Sequence, residues 1–153
     1  MELDRFDRQL LHLVQQDSAQ TAERLAEQVP LSPSAIQRRL KKLRENGVIL
    51  RDTAIVDPAA AGRPTLYLVS LEVETERPEL QKPLHQWLAA EECIQQAFYV
   101  TGQADYRLIV SAPDTQTFDA IMERLVRDNP HVKRFSTNVA LKIIKQSLAL
   151  PLL

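Results

Sequence analysis

The sequence predicts an α+β chain in two parts, a small winged helical head followed by an antiparallel sandwich of β-α-β-β-α-β order. Three observations predict it. Apolar residues recur at helical spacing from Phe6 to Leu43, and beyond Thr65 the pattern turns to alternation, with Tyr67, Val69, Leu71 and Val73 interleaved by Leu68, Ser70, Glu72 and Glu74. Between the two lies Asp57-Pro58-Ala59-Ala60-Ala61-Gly62-Arg63-Pro64, made of small residues, two prolines and the only glycine between Gly47 and Gly102. The expected divisions are a head over residues 1–56, a linker over 57–64 and a second domain over 65–153.

In the head, Asp4 can cap a first helix that carries Phe6, Leu10, Leu13 and Val14 on one face. Thr21 can cap a second, with Ala22, Leu25, Ala26 and Val29 at i, i+3, i+4, i+7. Only Pro30 to Ser32 separate it from a third, where Ser32 is the cap and Pro33 stands at the first helical position. Ile36, Leu40 and Leu43 form a narrow apolar stripe on this third helix, and Ser34, Arg38, Lys41 and Lys42 fall opposite, with Gln37 flanking. Asn46-Gly47 closes it. Six Lys/Arg stand against one acid, Glu45, between Ser34 and Arg51. Two short helices in a tight turn, the second one basic, make a helix-turn-helix whose second helix enters the DNA major groove. The first helix closes the core. Val48-Ile49-Leu50 and Ala54-Ile55-Val56 around Arg51-Asp52-Thr53 then read as a short hairpin, a wing.

In the second domain the alternating strand is followed by Leu80, Leu84, Trp87 and Leu88 at helical spacing, opened by Pro78 and kinked by Pro83. Ile94–Val100 is a strand, Thr101–Asp105 a turn and Tyr106–Ala112 a third strand. Asp114 caps a helix with Phe118, Ile121, Met122, Leu125 and Val126 on one face, Asn129-Pro130 ends it, and Val132–Ile144 supplies the last strand. This is a ferredoxin-like sandwich with both helices on one face of the sheet. Its other face carries Leu66, Leu68 and Ile109, too apolar for a solvated surface, so a second copy is expected to cover it. A dimer of such heads reads two half-sites about one DNA turn, or a multiple of it, apart.

The net charge of −1 argues by itself against a nucleic-acid partner. Divided at residue 56, the head holds nine Lys/Arg and eight Asp/Glu and the remainder ten and twelve, so the positive charge is concentrated on one helix rather than spread. A single cysteine, Cys93, excludes an internal disulfide framework and a cysteine-only metal site, and its place at the start of a strand suits a small buried residue. No apolar run approaches a membrane span and residues 1–20 are amphipathic and charged, which predicts a cytoplasmic protein.

Taken in order, Leu3-Asp4-Arg5-Phe6-Asp7, Leu31-Ser32-Pro33-Ser34, Arg38-Arg39-Leu40-Lys41-Lys42-Leu43, Glu45-Asn46-Gly47-Val48-Ile49, Val100-Thr101-Gly102-Gln103-Ala104-Asp105-Tyr106, and Thr137 with Val139 resemble the Lrp/AsnC family of transcriptional regulators nearly end to end. The resemblance implies a DNA-binding head joined to an effector-binding domain that dimerises through its sheet and assembles further, commonly to octameric rings. It implies an amino-acid effector bound between dimers beside the loop that is here Thr101, Gly102, Gln103, Ala104, Asp105 and Tyr106, with Thr137 completing the pocket from a neighbouring subunit. The residues expected on the DNA side, from their place on and around the outer face of the third helix, are Ser32, Ser34, Gln37, Arg38, Lys41, Lys42 and Arg44. Gln37 and Arg38, near the helix start, are expected to read bases, and Lys42 and Arg44 to hold backbone. One departure stands in the tight turn, where the family usually has glycine and this chain has Pro30, which cannot adopt positive φ.

The turn has a physical rationale of its own. Gly102 permits close backbone approach, free N–H groups there can hold a carboxylate, and Asp105 offers a carboxylate to an ammonium group. These are the two ends of a zwitterion, and the few polar groups nearby lean towards leucine or methionine. The plainer reading is an ordinary hairpin turn in which Asp105 bonds its own backbone. Two other functions remain open. One is a constitutive DNA-organising protein without effector. The other is an enzyme like the haem-pathway decarboxylases that share this two-domain fold, although His12, His85 and His131 are isolated from one another and no phosphate loop or nucleophile signature is present. No cofactor is expected.

Overall fold

The computed structural model describes residues 2–63, 65–74 and 77–152; Pro64, the last residue of the expected linker, lies outside them. The chain divides into two compact units, one running to Ile55 and joined by the segment from Lys145 onward, the other spanning Val56–Ile144.

The first unit is a three-helix head. Helix α1 (Arg5–Gln16) opens on a reciprocal cap in which Asp4 Oδ1 accepts from the N–H groups of Phe6 and Asp7, each at 2.8 Å, and the Asp4 N–H donates to Asp7 Oδ2 at 3.2 Å. These bonds, chiefly the one from the Asp7 N–H, hold the Asp4 carboxyl below its usual value. Helix α2 (Ala22–Ala26) is capped by Thr21 and is shorter than its apolar spacing predicts, yet the Val29 N–H still reaches Leu25 O at 3.0 Å, so Val29 completes the stripe. Helix α3 (Pro33–Glu45) starts at Ser32, whose Oγ accepts from the Ala35 N–H, and closes at Asn46, followed by Gly47 at φ +68°. Leu10, Ala22, Leu25, Val29 and Ile36 form the head core, with Leu40 packed against it.

Pro30 turns the chain without glycine. The Leu31 N–H bonds Val29 O at 2.7 Å, a three-residue turn whose central residue needs φ near the value that the proline ring fixes.

The expected wing is absent. Among the described residues, 50–57 form no strand, and Leu50 and Ile55 are 88% and 92% exposed. The apolar runs on either side of Arg51-Asp52-Thr53 do not pair with each other. Arg44 instead donates to Asp52 through two N–H groups at 3.2 and 3.3 Å.

The second unit is a four-stranded antiparallel sheet of order β2-β3-β1-β4, built from β1 (Thr65–Val73), β2 (Ile94–Tyr99), β3 (Tyr106–Ala112) and β4 (Val132–Val139). Helices α4 (Pro78–Ala90) and α5 (Thr115–Asp128) cover one face. Tyr67, Val69 and Leu71 of β1 pack there with Leu84, Leu88, Leu108, Val110, Phe118, Ile121 and Leu125, and the Tyr67 and Phe118 rings stack at 4.0 Å. Pro83 is held inside α4 without ending it. Asp114 caps α5 through the Thr117 N–H at 2.7 Å.

Three further expectations need correction. The last strand stops at Val139, not Ile144: its ladder with β1 runs to Tyr67↔Val139, followed by the single bond from Ala140 N–H to Leu66 O. Cys93 is only half-buried, and an Arg63 N–H meets its Sγ at 3.1 Å. The open sheet face is mixed rather than apolar. Leu68 is 43% exposed and Leu66 and Ile109 half-buried, but Arg107 bonds Ser70, and Glu72 pairs with Arg134 at 2.8 Å on the same side. Phe98, facing Arg107 across β2–β3, adds an exposed aromatic to this face.

Candidate nucleic-acid interface and effector turn

The outer surface of α3 arises from burial of its other side. Ile36 and Leu43 are fully buried, which leaves Ser32, Ser34, Gln37, Arg38, Lys41, Lys42 and Arg44 exposed together, as the spacing predicts. Ser34, Arg38 and Lys42 form one i, i+4 row. Gln37, Lys41 and Arg44 line the other edge, where a groove of about 400 Å³ separates them from Ser18 and Gln20 before α2.

The basic residues are not equally free. Arg39 is spent inside the head: its guanidinium donates to Asp4 Oδ2 at 2.8 Å and Asp7 Oδ1 at 2.7 Å and lies over the Phe6 ring at 5.7 Å. The bond to Asp7, then that to Asp4, raises the Arg39 pKa above its usual value. Lys41 reaches Glu45 at 3.8 Å and Arg44 pairs with Asp52, both in exposed pairs that a phosphate can displace at little cost. Arg38 and Lys42 make no ion pair among the described residues, so of the α3 cations they are the most available to a polyanion.

In the second unit the turn Thr101–Asp105 joins β2 to β3 and is closed by the Val100 N–H on Asp105 O at 2.9 Å. Gly102 sits at φ +115°, with open space where a Cβ would stand, so it is backbone conformation and not crowding that requires glycine. Thr101 and Gln103 are exposed and Ala104 is buried. Asp105 is committed to the fold. Its Oδ2 accepts from the Val73 N–H at 2.7 Å and its own N–H donates to Leu71 O at 2.9 Å, extending the β1–β3 ladder by a side chain.

Tyr106 turns away from this loop. It is 1% exposed and its hydroxyl lies 2.9 Å from His85 Nε2 on α4, beside a cavity of about 410 Å³ lined by Leu88, Ala89, Ile94 and Tyr99. Thr137 lies opposite Val69 on β4, while Asp105 bonds at the level of Leu71 and Val73. Two strand spacings and at least two residues along the strand separate them, roughly 11 Å. One chain therefore does not bring Thr137 to the turn. Sequence reasoning missed the Arg39 fork and the second role of Asp105, because both join residues more than 30 positions apart.

His12 on α1, His85 on α4 and His131 after α5 stay in separate places, and among the described residues no three His, Cys, Asp or Glu side chains are grouped to hold a metal ion.

Known proteins match both halves. The AsnC-type helix-turn-helix domain matches residues 3–44 and the Lrp/AsnC ligand binding domain residues 67–150. An HTH-type transcriptional regulator of Sinorhizobium fredii is 40% identical over 152 residues, covering 99% of this chain and 90% of that protein. The crystal structure of an AsnC family transcriptional regulator from Agrobacterium tumefaciens superposes with a TM-score of 0.91 at 30% identity, over 98% of this chain and 97% of that one. A transcriptional regulator of Neisseria meningitidis solved with L-Met shares the fold, with a TM-score of 0.90 at 24% identity over 99% and 97% of the two chains. The chain belongs to the Lrp/AsnC family of DNA-binding transcriptional regulators.

Among the described residues no helix is long and apolar enough to cross a membrane.

Proposed function

We propose that the protein is a cytoplasmic regulator whose hold on double-stranded DNA responds to an amino acid. The observation that carries the DNA side is the exposed row of Ser34, Arg38 and Lys42 on a helix otherwise anchored by Ile36, Leu43 and Arg39. Gln37 and Arg38 read base edges, and Ser32, Ser34, Lys41, Lys42 and Arg44 meet the phosphate backbone.

The effector is placed at Thr101–Asp105. The backbone around Gly102 faces the α-carboxylate, and the Asp105 carboxylate, which can accept more than the one bond it makes to Val73, takes the α-ammonium. Tyr106 contributes by fixing the start of β3 through His85 rather than by direct contact. Thr137 belongs to the pocket only from a second subunit. The L-Met complex of the Neisseria relative favours an apolar side chain, methionine or leucine. No catalytic step and no cofactor enter this reading.

Assembly follows from two unpaired surfaces. The sheet face with Leu66, Leu68, Ile109 and Phe98, and the extended apolar segment of Leu50, Ile55 and Val56, are what a second copy covers in a homodimer, with an octamer built from dimers. Leu68→Glu places a charge at the centre of that face and is expected to yield monomers in light scattering at micromolar concentration; a dimer of unchanged mass removes this face from the interface.

A thermal-shift screen of the twenty amino acids tests the effector reading, followed by operator binding with and without each hit. Methionine or leucine is expected to raise the midpoint and to change DNA affinity. A midpoint that no amino acid moves leaves a constitutive DNA-binding protein.

A further inference from the structure

Residues 145–152 follow the four-stranded sheet in sequence, the last strand ending at Val139, but belong to the compact unit of the head. One side chain makes the observed hydrogen bonds. Gln15, on the last turn of α1, accepts the Leu150 N–H on its Oε1 at 2.7 Å and returns an N–H from Nε2 to Leu150 O at 3.2 Å. A primary amide carries a donor and an acceptor side by side, so it reads one extended backbone residue as a neighbouring strand would. Just upstream, the Ala149 N–H closes on Ser147 Oγ at 3.1 Å, shaping the approach.

The face of α1 that bears Gln15 is distinct from the one packed in the core. Core contacts come from Phe6, Leu10, Leu13 and Val14, whereas Asp7, Leu11 and Gln15 follow one another at i, i+4 on a second face. Arg39 covers Asp7 at one end of that face and the tail holds Gln15 at the other. Leu11, between them, is only 6% exposed although it is no part of the core cluster.

We propose that this second face of α1 is a docking surface for the chain's own carboxyl-terminal segment. The ligand-binding domain is then tied to the head twice, through the linker before β1 and through the tail after β4. The contact is built to open. It rests on two exposed bonds from one side-chain amide to the Leu150 backbone, and Leu148 and Leu150 are mostly exposed, so little apolar area resists release. A displacement of β4 is thereby passed to α1 without crossing the linker.

Two measurements on the full chain test this. In a Cys93→Ser background, Gln15→Cys with Leu150→Cys is expected to form an intrachain disulfide, seen as a monomer-sized band without reductant that migrates differently once reduced. An interchain band assigns the tail to a partner's head and overturns own-chain docking, and absence of any disulfide overturns docking altogether. The tether is read separately by titrating operator DNA with and without L-methionine or L-leucine, and here the inference rests on the amino-acid reading. Gln15→Ala is expected to shrink the ligand-induced change in affinity at least threefold while leaving ligand-free DNA affinity unchanged. An undiminished response overturns the tether. A parent protein that responds to neither amino acid counts against the effector reading and the tether together, and the disulfide still decides the docking.

Discussion

Arg38→Ala combined with Lys42→Ala is expected to weaken operator binding by more than either single change while leaving the head folded. Both side chains project from α3 opposite Ile36 and Leu43 and neither makes an ion pair among the described residues, so the loss falls on binding. A base-reading arginine is worth about 1–3 kcal/mol at one position, which is roughly fivefold to 150-fold in affinity. A backbone lysine weakens all sequences alike and lowers the slope of log affinity against log salt by about one. The two single variants therefore separate. Arg38→Ala should relax preference at one base pair, and Lys42→Ala should leave preference intact and flatten the salt dependence. Fluorescence anisotropy on an operator and a scrambled duplex at several salt concentrations reads both. Unchanged affinity in the double variant would remove this face of α3 from the interface.

The second large effect is expected at Asp105, where stability and ligand binding must be pulled apart. Asp105→Ala deletes the charge-assisted bond to the Val73 N–H as well as any bond to an effector. Loss of the first costs the ligand-binding domain about 1.5–3 kcal/mol, which lowers its melting midpoint by roughly 4–8 °C for each kcal/mol in a domain of this size. Asp105→Asn keeps an acceptor for Val73 and removes the charge. Its fold is expected to hold while affinity for the amino acid falls about ten- to a hundredfold. Calorimetry of the two variants gives the answer, and tight binding by Asp105→Asn takes the carboxylate out of the effector site.

What the sequence made legible was what local chemistry writes down. Asp4, Thr21, Ser32 and Asp114 cap the helices they were expected to cap, since a cap is decided within three residues. The β-α-β-β-α-β order follows from the change of apolar period. The failures share a different cause. Val48–Val56 has the composition of a hairpin, but pairing needs a partner strand, and Arg44 donates to Asp52 instead. Val132–Ile144 reads as one long strand, yet its pairing with β1 stops at Tyr67↔Val139, and periodicity alone does not show where a ladder stops. Tyr106 stands next to Asp105 in sequence, but strand alternation sends its ring to the helix side and His85. At the site, the exposed basic row was readable from helical angle, whereas the role of Arg39 was not, because its partners Asp4 and Asp7 lie more than 30 positions away.

The fork of Arg39 on two carboxylates also controls a motion that a single pair would leave open, the roll of α3 about its own axis. A helix with its side chains is about 10–12 Å across, so a 20° roll carries the tip of an outward residue by roughly 2 Å. That shift takes a hydrogen bond of normal length past the distance at which it still counts as one. Asp4 and Asp7 are held to each other by the reciprocal cap of α1, so the guanidinium grips a rigid two-point seat, and Phe6 bounds it from the ring side. The angle at which α3 presents Gln37 and Arg38 is thus set by the first turn of α1. Proline in the turn before α3 is compatible with this, because the turn needs only to deliver the helix and the fork sets its angle.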